Sequence, residues 1–277
     1  MLKLSRAIFG VSRRFNSTDL TTVKFDDGIK EITLCHQKTR NALSIAMMQN
    51  IIDNISKENN NNSLRIIIIS AEGPIFSAGQ NQNFNFQTEE SGKLKQLQVF
   101  DLASKLMNCV IDSPVPIVAK IDGLAAAAGC QLVAQCDLAL CTEKSTFSTP
   151  GVNFGIFCST PGVALARTVR KKTALKMLLT GLPITSREAL ESGLVTSVCK
   201  DEKTLDEELK IMTDSIKAKS RSVVELGKRF FYEQMSLEVK KAYEAGGLKM
   251  VQNLQMSDGR EGIKSFVEKR KPLWSHE

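Results

Sequence analysis

The sequence predicts an α/β fold that passes into an all-helical C-terminal region. Three observations predict it. Leu64–Ser70 (LRIIIIS) is a nearly unbroken β-branched run, the signature of a strand buried on both faces. Two further short apolar runs, Val115–Ile121 and Asp137–Cys141, alternate with stretches of helical period. After Thr160 the pattern is mainly helical to the end of the chain. With 277 residues and 42% apolar composition, the chain is long enough for one large core with an appendage.

Taken in order, residues 22–34 read as a hairpin turned at Asp26-Asp27-Gly28. Residues 44–57 read as an amphipathic helix capped by Ser44, with Ile45, Met48, Ile51, Ile52 and Ile55 on one face. Asn59–Asn62 is a polar loop, and the strand Leu64–Ser70 follows. A loop through Gly73, Pro74 and Gly79 leads to a helix over 92–110, then the strand Val115–Ile121 and the turn Asp122-Gly123. A helix from Ala127–Ala128 to Gln135 precedes the strand Asp137–Cys141. Helices are expected over 161–169, 171–179, 186–192, 204–218, 222–234, 237–255 and 259–268. We divide the chain into residues 1–17, a core over 20–220 and a helical region over 221–277.

Residues 1–17 stand apart. Lys3, Arg6, Arg13 and Arg14 are basic, no acid precedes Asp19, and Leu2, Leu4, Ile8, Phe9 and Val11 can share a helix face. That composition is expected of a transit peptide directing the chain to the mitochondrial matrix. Without those four cations the formal net charge falls from +7 to +3. The basic balance therefore gives little reason to expect a nucleic-acid partner. No apolar run approaches the ~20 residues of a membrane span. Seven cysteines are scattered without a CxxC pair and there are two histidines, so no metal site is expected.

Small-residue segments carry the chemistry. Gly79-Gln80 and Ala127-Ala128-Gly129 allow close approach of backbone to a ligand. N–H groups near a helix N-terminus can support an oxygen on which negative charge develops. Three segments occur in a fixed order: Lys38-Thr39-Arg40-Asn41-Ala42-Leu43, Ile75-Phe76-Ser77-Ala78-Gly79-Gln80-Asn81, and Ile121–Leu132 (IDGLAAAAGCQL) with Cys136-Asp137. Together with the closing Phe266–Lys271 they resemble the crotonase (enoyl-CoA hydratase/isomerase) superfamily over nearly everything after residue 20.

The resemblance implies a crotonase (ClpP-like) spiral of strand-strand-helix units with a helical C-terminal trimerisation region, giving a homotrimer or homohexamer. It implies acyl-CoA as ligand, with coenzyme A as part of the substrate and no permanently bound cofactor, in mitochondrial fatty-acid metabolism. The oxyanion donors are expected to be the backbone N–H groups of Gln80 and Ala128. CoA is expected along Arg40, Ala42, Ala78 and Asn81, with Lys38 and Lys269 as phosphate partners.

The sequence departs from that family where proton transfer is done. A hydratase uses two carboxylates, one to activate water and one to deliver a proton. The two corresponding positions are Gln131, which cannot exchange a proton near neutral pH, and Gly151, which has no side chain. Ordinary hydration is expected to be weak or absent, and restoring glutamate at both positions is expected to return some of it. Two alternatives follow: a non-catalytic acyl-CoA sensor or regulatory binding protein, and a decarboxylase or carbon–carbon lyase using bicarbonate or the substrate's own carboxylate as the missing base. RNA binding, known in one relative through lysines on the first helix, is not expected, since Ser44–Glu58 carries only Lys57. Ser159 reads as the cap of a helix starting near Pro161, and Cys158 lacks a nearby histidine to activate it. Asp122 and Asp137 read as turn or junction residues, and Glu143-Lys144 as a solvated pair.

Overall fold

The Asp27-Gly28 pair, both at positive φ, closes a two-residue hairpin between β1 (Thr21–Asp26) and β2 (Ile29–Leu34), with Asp26 opposite Ile29. The structure is a computed structural model that describes residues 20–80 and 90–277. Residues 1–17, where a transit peptide is expected, and Asn81 lie outside the described residues.

From β2 the chain crosses through α1 (Ile45–Ser56) to β3 (Ile66–Ala71), which pairs parallel to β2. Ser44 caps α1 by accepting from the Met47 N–H at 3.2 Å. The buried stripe of α1 is Met47, Met48, Ile51 and Ile55. Ile45, read above as part of the core face, is 46% exposed, and Ile52 is half-buried. Two residues on a helix are roughly 200° apart, so Ile45 faces nearly opposite to Met47.

Three consecutive strand-strand-helix units follow. The first is β3, β4 (Ile75–Ser77) and α2 (Glu90–Asp112); the second is β5 (Ile117–Ile121), β6 (Leu124–Ala126) and α3 (Ala128–Gln135). The third is β7 (Leu138–Thr142), β8 (Thr146–Ser148) and α4 (Ser159–Thr168). Each unit gives one strand to each of two sheets. After α5 (Lys171–Thr180), β9 (Ile184–Thr185) and α6 (Ser186–Ser192), β10 (Ser197–Cys199) completes the larger sheet. Its order is β1-β2-β3-β5-β7-β10, parallel except for the β1–β2 hairpin. The smaller sheet runs β4-β6-β8-β9.

The isoleucine run of β3 is explained by burial on both faces. Ile67 and Ile69 enter the main core with α1 and α2, whereas Ile66 and Ile68 pack with Leu205 and Leu209 of α7 (Glu202–Lys217). The chain ends in α8 (Arg221–Gln234), α9 (Val239–Gln255) and α10 (Ser257–Val267). Its last residues fold back: Trp274 Nε1 donates to the Ala218 carbonyl at 2.9 Å and Ser275 N to Asp258 Oδ1 at 2.7 Å.

Candidate functional site

The first two small-residue segments are stitched together by backbone. Arg40 and Asn41 both adopt positive φ, and the buried Asn41 amide holds that turn by donating to the Glu72 and Ile75 carbonyls at 3.1 and 2.9 Å. Ala78 N–H donates to the Arg40 carbonyl at 3.0 Å, and Leu43 N–H to that of Gly79 at 2.7 Å. Arg40, Ala42 and Ala78 are thereby gathered on one edge, with Lys38 exposed on the preceding 3-10 turn. Lys269 lies beyond the end of α10, a helix whose neighbours are α8 and α9.

The second and third segments meet at Gly79 and Ala127. Gly79 has φ of 92°, and a Cβ there would lie 2.7 Å from Ala127 Cβ, 2.9 Å from the Ala126 carbonyl oxygen and 3.3 Å from Ala128 N. Only glycine permits both the conformation and the approach. Ala127 itself is held at φ 47°, ψ −116°, a sparsely populated region for a residue with a side chain. Its N–H donates to Ser148 of β8 at 2.8 Å, and its carbonyl accepts from Gln131 N–H at 2.9 Å. Beyond this corner α3 begins. Among the described residues neither the Gln80 nor the Ala128 N–H meets a backbone acceptor. Two donors without a backbone acceptor, on segments that meet at Gly79 and Ala127 and one of them at the positive end of a helix dipole, are suited to a developing oxyanion.

Gln131, one turn into α3, is 5% exposed, and among the described residues its Oε1 has no partner. Gly151 lies in the 3-10 turn Pro150–Phe154. A Cβ there would stand 2.3 Å from the Ile156 carbonyl oxygen and 2.7 Å from Cys158 Sγ. The loop thus has no room for a side chain at 151, so the expectation that two glutamates restore hydration does not fit this backbone. Burial pushes the Cys158 thiol up, an effect that the nearby Gly151 backbone only partly opposes. Burial likewise raises Cys130, to about 12. Neither is an activated nucleophile.

Several turn readings change. Ser159 is the first residue of α4, not its cap; the cap position is Cys158 with no side-chain bond. Lys144 pairs with Asp122 at 2.9 Å rather than with Glu143, and Asp122 also accepts from Thr142 Oγ1. Asp137 is far more than a junction residue. Its Oδ2 accepts from Ile117 N and Lys228 Nζ, each at 2.7 Å, and its Oδ1 from the Tyr232 hydroxyl at 2.9 Å. Burial pulls the Lys228 ammonium down from its ordinary range while Asp137 opposes the shift. This network fastens α8 over a cleft of about 690 Å³ that Gln131, Met107, Ile111, Phe231 and Met235 also line. Lys228 and Tyr232 carried no local sequence signal; both look like polar positions on an amphipathic helix. Among the described residues no group of His, Cys, Asp and Glu is arranged to hold a metal ion, and no helix is long and apolar enough to cross a membrane.

Comparison with known proteins agrees with this architecture. The family model described as enoyl-CoA hydratase/isomerase matches residues 24–277. The chain is 48% identical over 273 residues to the human protein named enoyl-CoA hydratase domain-containing protein 3, mitochondrial, spanning 99% of this chain and 89% of that one. The crystal structure of the human protein superposes with a TM-score of 0.88 over 92% of this chain and all of the other. An enoyl-CoA hydratase from Mycobacterium smegmatis, 36% identical, gives a TM-score of 0.87 over 92% and 99%. With its paired sheets built from strand-strand-helix units, its helical C-terminal region and this full-length similarity, the chain belongs to the enoyl-CoA hydratase/isomerase, or crotonase, family.

Proposed function

We propose that the protein binds acyl-CoA thioesters, holding the thioester oxygen on the Gln80 and Ala128 N–H groups, and that it does not act as an ordinary enoyl-CoA hydratase. The observation that carries this reading is that neither the Gln80 nor the Ala128 N–H meets a backbone acceptor among the described residues, in a chain whose residues 131 and 151 bear no acid. The edge formed by Arg40, Ala42 and Ala78 supports a place for CoA, with Lys38, Asn81 and Lys269 as its further contacts. The mitochondrial name of the human relative, together with the basic leader, supports mitochondrial fatty-acid metabolism as the setting. A lyase drawing on bicarbonate is less favoured, because the Ile156 carbonyl oxygen and Cys158 sulfur face the place a side chain at 151 would fill. The carbonyl oxygen is an acceptor only and repels an anion.

Assembly belongs to the same reading. α9 buries none of its residues and exposes Tyr243, Leu248, Met250 and Val251. A 17-residue helix in that state is stabilised by a partner, which supports a homotrimer or a pair of trimers.

The test is calorimetric titration with butyryl-CoA and free CoA, alongside an assay of crotonyl-CoA hydration. Tighter binding of the thioester than of CoA, with hydration at the background rate, is expected. Ala128→Pro, at the first helical position where proline is tolerated, removes one donor and should abolish the thioester's advantage. Gly79→Ala serves as a second variant should the first misfold. Equal affinity for thioester and free CoA in the native protein would refute the assignment.

A further inference from the structure

The outer face of α5 mixes cations with bare apolar side chains. Ala174, Met177 and Leu178 are buried, whereas Lys171, Lys172, Leu175, Lys176 and Leu179 are exposed. Those five positions are spaced as one helix face, so lysines and leucines interleave along a single stripe. The apolar part continues past the helix. A Cβ on Gly181, the residue that ends α5, would lie 2.7 Å from Asn153 Oδ1, so this end rests on the turn Pro150–Phe154. That contact brings Leu179 and Leu182 near Phe154, and the exposed Ile156 and Phe157 follow it in the chain. Phe154 is 67% exposed and Leu179 63%. Single apolar residues scattered on a surface need no explanation, but a contiguous group of this kind marks an interaction face.

Charge selects the partner. Between Glu143 and Glu188 the sequence carries no acid, while Arg167, Arg170, Lys171, Lys172 and Lys176 all fall within that stretch. Glu188 reaches back to one of them, pairing with Lys176 at 2.6 Å. We infer that this face seats on an anionic lipid bilayer, with Arg170, Lys171 and Lys172 against the headgroups and Phe154, Ile156, Leu179 and Leu182 entering the apolar boundary. Basic side chains interleaved with exposed aromatic and aliphatic ones are the chemistry of interfacial binding. A second copy meeting this face about a two-fold axis would set the cations against themselves, with no acid in the segment to answer them. RNA would answer the cations through its phosphates but leave the leucines and Ile156 in water. Val163 and Arg167 of α4, the helix packed beside α5, also line the cleft beneath α8, so the seated face adjoins that cleft. The inference does not depend on the thioester reading.

The experiment is co-flotation of the full chain with phosphatidylcholine vesicles, with and without phosphatidylserine. Lys3, Arg6, Arg13 and Arg14 are changed to serine throughout, so that the basic leader does not itself draw the chain to the vesicles. The protein should float with the anionic vesicles and stay behind with the neutral ones, and added salt should weaken the association. Changing Arg170, Lys171 and Lys172 together to serine should weaken it on the order of a hundredfold, at about fivefold for each cation. Phe154→Ser with Leu179→Ser should weaken it at least about tenfold at low salt, through lost apolar burial. All five positions are exposed, so melting temperatures close to that of the parent are expected. No flotation with anionic vesicles would overturn the proposal, and so would parent-like flotation of either folded variant. Tighter binding to a single-stranded RNA than to anionic vesicles would assign the cations to nucleic acid. A smaller assembly for Phe154→Ser with Leu179→Ser in vesicle-free sedimentation would assign the face to a second copy. Either of these results rejects the bilayer as its partner.

Discussion

Replacing Lys228 with methionine probes the network that closes α8 over the cleft. Methionine keeps much of the apolar stem but removes the ammonium, whose side chain is 6% exposed. Three acceptors lose a donor: the Val110 carbonyl at 2.9 Å, the Val115 carbonyl at 3.1 Å and Asp137 Oδ2 at 2.7 Å. Asp137 retains Ile117 N–H and the Tyr232 hydroxyl, so its charge is not left wholly bare. Breaking a buried ion pair by removing one member costs about 3–5 kcal/mol. For a chain of this size, with about 2–4 °C per kcal/mol, the melting temperature should fall by roughly 6–20 °C. Tyr232→Phe removes a single hydrogen bond to a charged acceptor and should cost about 1.5–3 kcal/mol. The assay is urea unfolding at fixed protein concentration, with a double-mutant cycle between the two positions. A loss below about 1 kcal/mol for Lys228→Met, or a greater loss for Tyr232→Phe, would refute the view that Lys228 anchors the network.

Other outcomes follow from the same geometry. Gly79→Ala forces a side chain into a φ of 92° and against Ala127, so it should cost on the order of 2 kcal/mol or more and weaken butyryl-CoA binding, as read by thermal melting and calorimetry. Gly151→Glu should destabilise the Pro150–Phe154 turn without restoring crotonyl-CoA hydration, because the Ile156 carbonyl blocks the side chain; hydration well above background in a spectrophotometric assay would contradict this. The Arg270 guanidinium and the Leu273 N–H hold the Glu261 carboxyl well below its usual range, at about 2. Its contribution to stability is complete above the ordinary value near 4.5 and is lost as pH falls toward 2. The stability gap between native protein and Glu261→Gln in urea unfolding should therefore shrink between pH 6 and pH 3, and a constant gap would refute that linkage.

The long, strongly patterned elements were legible in the sequence. The isoleucine run of β3, the Asp27-Gly28 hairpin and the C-terminal helices follow from β-branching, turn chemistry and helical period. The smaller sheet was not legible. β4, β6 and β8 are three residues each and β9 is two, too short for a period-2 pattern to show. The small-residue segments pointed to Gly79-Gln80 and Ala127-Ala128, and the fold brings them into contact. What the sequence could not supply was contact across long separations. Asp137 meets Lys228 and Tyr232 more than ninety residues away. The exclusion of a side chain at Gly151 depends on how the Ile156 carbonyl folds back. Ile45 and Ser159 were misread for a local reason. Each sits at the first residue of a helix, where one position of shift changes the face or turns a cap into a helical residue.

The most direct test of the thioester assignment is isotope-edited infrared spectroscopy of butyryl-CoA carrying carbon-13 at its thioester carbonyl. Two N–H donors on that oxygen polarise the C=O bond. The carbonyl band should therefore move to lower frequency on binding the native protein, and by less on binding Gly79→Ala. Saturating binding with the band at its aqueous position would show that the oxygen does not rest on Gln80 and Ala128, and would contradict the account.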